Sequence, residues 1–308
     1  MTVTICIVGF RNAEEIAHCV ANLGHSTYRN FDIVVCENGG EAAHADLLRV
    51  VPQSLPGGQK VDCLLAPGNL GYAGGVNFCI LARPDSDAWW VVNPDTQPEP
   101  EALAALMERL ARGDVHAAGS VLYHPGGHVQ AYGGWWRPFL GRPESIGMGR
   151  HIDDPVDSAA IEAKMNYILG ASLIVDRTFV EKIGLMRDDY FLYCEEVEWC
   201  LRAVARGFKL GFAPASRVQH GQGGTTGSAA PIRSRPKLPI YLDERNKIHV
   251  VRDTGAWRLI IAIPATLALL TLRYVPKRAW KQWGYALGGW WAGIRGLRGV
   301  PDWLLARR

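Results

Sequence analysis

Asp95 stands behind Trp89-Trp90-Val91-Val92-Asn93-Pro94, four bulky residues that favour strands and run into a proline. Pro94 cannot donate to a ladder and holds Asn93 extended, so a buried strand should stop there and display Asp95 at its carboxyl end. Ligands bind at that edge of an open α/β sheet, where a carboxylate can hold a divalent cation against a diphosphate. A plain turn capping the next helix would use the same residues.

Three more positions carry chemistry. Glu37 lies between the strand-like run Phe31 to Val35 and Asn38-Gly39-Gly40. Nucleotide sites in α/β proteins put an acid there to contact ribose or base, although an exposed turn carboxylate would read alike. Glu195 and Glu196 follow Tyr190-Phe191-Leu192-Tyr193-Cys194 and open a helix that should run to Arg206. Two carboxylates in a first turn compensate the helix dipole, worth about 0.3–1 kcal/mol. Alternatively they supply a general base pointed into a cleft and kept ionised by that dipole. His220 opens the Gly/Thr-rich stretch to Gly227, suited to a ligand-gated lid, and its imidazole could complete a metal site begun by Asp95.

The elements that must position these groups alternate. Val3 to Val8 is a continuous apolar run, Gly9-Phe10-Arg11-Asn12 breaks it, Ala13 to Leu23 has helical spacing and Phe31 to Val35 is a second strand. That βαβ unit implies a parallel sheet. Val61 to Leu65 is a third strand, followed by Asn69-Leu70-Gly71-Tyr72-Ala73-Gly74-Gly75-Val76-Asn77. Such a loop can bring backbone N–H groups to an anion, but it lacks both the dinucleotide fingerprint and the Lys-Ser/Thr of a P-loop.

Pro100 to Ala111 reads as a helix and Ala117 to Leu122 as a strand. Tyr123 to Asp157 is an irregular excursion whose His124, His128, Trp135, Trp136 and Arg137 could line a sugar-acceptor cleft or form a surface flap. Tyr167 to Val175 is a buried strand in which Gly170 and Ala171 allow close approach of ligand or backbone. Arg177 to Ile183 is a short helix and Phe208 to Phe212 a short strand. Glu198 and Arg202 form an i,i+4 pair on the helix between them.

The net charge of +3 over 308 residues is uneven: residues 1–230 carry −8 and residues 231–308 carry +11. Leu259 to Leu272 is an uncharged run of 14 residues. About 20 residues span a bilayer, so a leaflet-inserted or core helix is expected rather than a crossing. Lys277, Arg278, Lys281, Arg295 and Arg298 are interleaved with Trp280, Trp283, Tyr285, Trp290 and Trp291. This mixture suits an anionic lipid surface, with an ordinary helical subdomain or a dimer interface as alternatives; no nucleic-acid reading motif accompanies the charge. Seven scattered cysteines without a paired Cys-x-x-Cys suggest buried thiols in a reducing cytoplasm. Met1 has no charged-apolar-small leader behind it, so no secretory signal is expected.

Taken in order, these pieces resemble the family 2 glycosyltransferases of GT-A fold, particularly their bacterial rhamnosyltransferase-like branch. The likeness lies in Val8-Gly9-Phe10-Arg11-Asn12, Cys36-Glu37-Asn38-Gly39, Asn69 to Asn77, Asn93-Pro94-Asp95-Thr96, Phe191 to Arg202, His220 and Arg245-Asn246. It implies a mostly parallel α/β sheet flanked by helices, with a catalytic domain over residues 1–230. Within it, residues 1–122 would bind the nucleotide sugar and residues 123–230 the acceptor, while residues 231–308 form a basic, aromatic-rich, membrane-associating appendage.

The resemblance also implies an inverting transfer from a nucleoside-diphosphate sugar, dTDP-rhamnose or a UDP-hexose, to a saccharide acceptor, lipid-linked if the tail binds membrane. Such an enzyme would build cell-surface polysaccharide at the cytoplasmic face of the membrane, possible as a homodimer. Phe10, Arg11, Asn12, Glu37, Asn69, Gly71, Gly75, Asn77, Asn93 and Asp95 would contact the donor; Trp135, Trp136, Gly170 and Ala171 would contact the acceptor. Asp95 and His220 would hold Mg²⁺ or Mn²⁺, and Glu196 would be the base, with Glu195 and Glu198 beside it. Asn93 stands where the family's metal motif has its first Asp, which implies a weakly held, donor-dependent metal. Glu37 and Glu196 stand where Asp is commoner. A sugar-nucleotidyltransferase and a catalytically degenerate nucleotide-sugar-binding protein are the rival readings.

Overall fold

The computed structural model describes residues 1–221 and 227–305. A nine-stranded sheet forms the centre. Strands β1 (Val3–Gly9), β2 (Phe31–Glu37), β3 (Val61–Leu65) and β4 (Ala88–Val92) are paired in parallel in the order β3-β2-β1-β4. Their crossovers are α1 (Ala13–Leu23), α2 (Glu41–Val50) and α3 (Gly71–Ala82). All seven residues of β1 are buried, as expected of a strand covered on both faces.

After the short β5 (Thr96–Pro98) and α4 (Ala102–Ala111) come β6 (Ala117–Tyr123), β7 (Val129–Ala131), β8 (Gly133–Arg137) and β9 (Arg142–Ile146). Residues 123–157 are therefore not irregular. β7 extends the main sheet beside β6, and β8 pairs with β9 as a separate hairpin. Helix α5 (Ser158–Lys164) leads to β10 (Ser172–Asp176), which is shorter than its apolar run because residues 167–171 turn in from Gly134.

β10 enters antiparallel between β4 and β6, so the sheet is mixed beyond its parallel half. This reversal matters for the site: Ser172 pairs with Val92, so the entry to β10 lies on the same edge as the exit from β4. α6 (Arg177–Ile183) and α7 (Glu195–Ala205) follow, then β11 (Leu210–His220), parallel to β6. β11 extends well past Phe212, with a register shift between Ala213 and Arg217 where Pro214 has no N–H to give. His220 is therefore the last residue of a strand, paired with Thr96. The lid expected behind it falls on residues 222–226, outside the described residues.

The C-terminal helices are α8 (Lys237–Gly255), α9 (Leu259–Tyr274), α10 (Trp280–Ile294) and α11 (Asp302–Leu305). Val250, Val251 and Ala262 belong to the same apolar cluster as Cys6, Val91 and Leu173 of the sheet. α8 and α9 thus share an apolar cluster with the central sheet. A smaller cluster, around Ile240, Leu270 and Tyr274, holds α8, α9 and α10 together.

Candidate active site

Three exits and one entry of the sheet meet at one edge. Residues 38–40 continue from β2, Asn93 to Asp95 from β4 and Gly221 from β11, while Gly170 and Ala171 lead into β10. The Ala171 carbonyl accepts the Asn93 N–H at 3.2 Å, fastening the exit of β4 to the entry of β10.

Glu37 is fully buried. Its Oε1 accepts the backbone N–H groups of Arg11 at 3.1 Å and Gly39 at 2.6 Å. Its Oε2 has no hydrogen-bond partner among the described residues. A Cβ on Gly9 would come within 2.7 Å of that oxygen. A buried acceptor without a donor costs about 1–3 kcal/mol, and an incoming N–H would relieve it. Arg11, at φ 58°, lies over the Phe10 ring at 5.2 Å, with Phe10 exposed beside it.

Asp95 Oδ1 and His220 Nε2 are 3.3 Å apart. His220 Nδ1 lies 2.8 Å from Gln130 Oε1, an acceptor, so Nδ1 carries a hydrogen, and Nε2 lies 3.3 Å from the Asn93 amide nitrogen. Among the described residues no three His, Cys, Asp or Glu side chains converge as metal ligands. The protein therefore offers a partial set, one carboxylate and one imidazole. That suits Mg²⁺ or Mn²⁺, which at phosphate sites take their remaining ligands from water and phosphate oxygens.

Tyr72 joins this pair to the far side of the cleft. Its hydroxyl lies 2.9 Å from Asn93 Oδ1 and 2.7 Å from the Gly170 carbonyl. A Cβ on Gly170 would be 3.6 Å from both the Tyr72 hydroxyl and Glu196 Cγ. Burial, then Glu195, Glu196 and Asp95, push the Tyr72 phenol well above its usual range. The contacts thus run Asp95, His220, Asn93, Tyr72, Gly170, Glu196. Tyr72 and Gln130 were absent from the expected site residues; Tyr72 stood in the Gly-rich motif but gave no sign that its partners would be Asn93 and Gly170.

Glu196 is half-buried. Burial pushes its carboxyl up to about 7, against backbone N–H groups at Glu196, Val197 and Gly170 that pull it down; Asp243 adds to the rise. The helix start is not sufficient to keep it fully ionised, contrary to the sequence-based expectation. A group poised near neutrality is what a general base needs. Glu195 is buried, its Oε2 lacks a hydrogen-bond partner among the described residues, and burial followed by Glu196 drives its carboxyl well up. Glu198 pairs with Arg202 through both oxygens, at 2.9 and 3.1 Å, and Arg202 also donates to the Ile183 and Leu185 carbonyls. These bonds make Glu198 a brace of α7 rather than a spare base.

The peptide leading into α7 is strained. Phe191, Tyr193 and Cys194 have φ of 68°, 74° and 68°. Asn246 Nδ2 lies 3.0, 2.9 and 2.8 Å from the Tyr190, Leu192 and Tyr193 carbonyls. Arg245 donates to Tyr190 O at 3.0 Å and Gly299 O at 2.7 Å. Gly71, at φ +72°, is where a Cβ would strike the Phe191 carbonyl; that carbonyl accepts the Tyr72 N–H at 2.7 Å.

Several expected contacts serve other ends. Asn69 Oδ1 accepts the Gly71 N–H at 3.0 Å, so two N–H groups at the start of α3 are already used. Gly75 lets α3 approach Val8, and Asn77 bonds both backbone groups of Met186 at 2.8 and 3.0 Å. Asn12 Oδ1 caps the Phe10 N–H at 2.9 Å. Trp136 is 1% exposed and packs in the core, which removes it from any acceptor surface. Trp135 is half-buried under the Arg137 guanidinium at 4.3 Å.

The model of glycosyl transferase family 2 matches residues 4–161, half of the chain. This chain belongs to glycosyl transferase family 2. The family 2 fold extends beyond that match. The mannosyltransferase PcManGT from Pyrobaculum calidifontis, solved in complex with GDP-Man and Mn²⁺, superposes with a TM-score of 0.58 at 15% identity, over 95% of this chain and 86% of that one. This likeness establishes the GT-A glycosyltransferase fold, a mixed sheet flanked by helices with a helical C-terminal region. Among curated relatives, the N-acetylglucosaminyl-diphospho-decaprenol L-rhamnosyltransferase of Mycobacterium tuberculosis is 23% identical over 278 residues, 82% of this chain and 86% of its own length. The uncharacterized protein y4gI of Sinorhizobium fredii is 24% identical over 242 residues, and the match spans 75% of this chain but only 26% of y4gI.

Proposed function

We propose that the chain transfers a sugar from a nucleoside diphosphate to a hydroxyl of a saccharide acceptor, with inversion and with Glu196 as the base. The observation that carries this is the run of contacts from Asp95 to Glu196, which puts a phosphate-side acid and a near-neutral carboxyl around one glycine, Gly170. Glu196 takes the acceptor hydroxyl proton as that oxygen bonds to the anomeric carbon. The bond from that carbon to the diphosphate oxygen breaks, and its electron pair leaves with the diphosphate. Glu37 accepts an N–H from the base through Oε2, and Tyr72 holds the Asn93 amide and the Gly170 carbonyl in register. Mg²⁺ or Mn²⁺ held by Asp95 and His220 would supply positive charge against the leaving diphosphate.

The name of the relative from M. tuberculosis favours a rhamnosyl donor, which we take as dTDP-rhamnose ahead of a UDP-hexose, and a saccharide carried on a polyprenyl diphosphate as acceptor. The C-terminal helices favour a membrane surface at the cytoplasmic side, in cell-surface polysaccharide synthesis. Residues 237–274 are long and apolar enough for a membrane crossing by length and composition alone. The α8 half of that run is buried in the protein with Glu244, Arg245 and Lys247. Only α9 turns an apolar face outward, with Ile260 82% and Leu272 68% exposed, so lying on the membrane fits better than crossing it. Trp280 and Trp291 are exposed on the neighbouring α10.

The test is a panel of nucleotide sugars, with and without Mn²⁺, offered to the wild type and to Glu196→Gln with short polyprenyl-diphosphate saccharides. Transfer by the wild type alone, with donor binding kept in the variant, supports the reading. Equal turnover by both proteins would remove Glu196 as the base.

A further inference from the structure

We infer that the cavity between the β8–β9 turn and helices α8 and α9 seats the phosphate and the first isoprene units of a polyprenyl-diphosphate acceptor. This rests on the glycosyl-transfer reading above and adds to it a second, acceptor-side binding site.

The cavity has a volume of about 400 Å³, and its lining combines charged Arg142, Glu244, Lys247 and Arg273 with apolar Leu140, Leu269 and Leu272. Lys247 is held 2.6 Å from Asp243 and 3.2 Å from Glu244, and Arg273 lies 3.8 and 3.7 Å from the same two acids. Those four charges balance. Arg142 is exposed and forms no ion pair among the described residues, so it leaves the mouth of the cavity with an excess positive charge. A guanidinium carries five donors and an ammonium three, more than these pairs use, so both ordered cations can still donate to a phosphate.

The leucines of α9 lead outward. Leu272 shares a stripe of α9 with Ala268, Ala265 and Ile261, at spacings of four, three and four, and the stripe is exposed at Ile261, Ala268 and Leu272. A chain leaving the cavity past Leu272 would continue along that face into lipid. At the other end Asp243, bonded to the cavity's Lys247, is near enough to Glu196 to raise its carboxyl. The cavity thus borders α9 on one side and, through the Lys247–Asp243 pair, a carboxylate that acts on Glu196 on the other.

The test uses the full chain in detergent, with geranylgeranyl diphosphate as probe and geranylgeraniol and inorganic diphosphate as comparison arms, in titration calorimetry. Expected is binding of the prenyl diphosphate at least about tenfold tighter than either arm, lost at least about tenfold in Arg142→Ser and in Leu272→Asp. Both positions are exposed, so neither change should unfold the protein. Equal affinity for all three probes, or unchanged affinity in both variants, overturns the assignment. No sugar nucleotide takes part, so failure of the transfer reading would show separately, as absence of turnover in the donor panel.

Discussion

The Tyr72 hydroxyl stands 2.9 Å from Asn93 Oδ1, although the two residues come from different crossovers of the sheet. Asn93 in turn meets His220, and Gly170 on the other side of the phenol lies beside Glu196, so one ring links the Asp95–His220 pair to the start of α7. Tyr72→Phe should lower kcat by about tenfold or more and cost about 1 kcal/mol of stability, since two half-buried acceptors lose the hydroxyl between them. Steady-state kinetics and a denaturant titration check both; unchanged kcat would reduce Tyr72 to packing.

The rate should follow the ionisation of Glu196. Its carboxyl sits near 7 in the fold, so kcat/KM should rise with pH through about 7 and level above it. Glu196→Gln should lose about 10²- to 10⁴-fold in kcat.

Linkage gives that carboxyl a second signature. Folded Glu196 holds its proton to about 7 and a free glutamate only to 4.5, so the folded state binds more protons between those values. Stability should therefore fall as pH rises across that window, and Glu196→Gln should show a smaller fall. Melting curves at pH 5 and 8 decide it: equal slopes for both proteins would refute the raised value.

Asp95→Asn and His220→Ala should act on the same step. Both should raise the Mn²⁺ concentration needed for half-maximal activity and weaken nucleoside-diphosphate binding, with little loss of stability for the exchange at Asp95. A metal response identical to wild type in both would separate the pair from the phosphate.

Asn246→Ala should take the amide donor from the Leu192 and Tyr193 carbonyls of a strained loop, while Tyr190 O keeps its Arg245 donor. The expected result is a loss of about 1–3 kcal/mol together with a drop in kcat at unchanged donor affinity, since the loop leads to Glu196 and not to the proposed donor contacts at Glu37 and Asp95. A fall in stability alone would make Asn246 purely structural.

Much of this was legible in the chain itself. The strand ends at Glu37 and Asn93 follow from continuous apolar runs broken by Gly and Pro, and the start of α7 from its carboxylates and apolar spacing. Helix α2 was not visible, because only Ala43 and Leu47 of its ten residues are buried and its pattern is thin. Hairpin β8–β9 hid in a Gly- and Pro-rich stretch whose alternation is short. Trp136 illustrates the ambiguity of aromatics: the same residue type serves a sugar platform or a core, and burial alone separates them. Tyr72, Gln130 and Asn246 are set by partners far along the chain, a relation that spacing does not encode.

Arg298 binds Asp253 at 2.7 Å and Asp189 at 3.3 Å, and the Gly299 N–H meets the Asp189 carbonyl at 2.6 Å. The last turns of the polypeptide are thereby tied to the segment that delivers Glu196. Trimming the tail to make a soluble enzyme would cut this knot along with any lipid attachment, whereas recolouring the outer stripe of α9 with polar side chains would leave it tied.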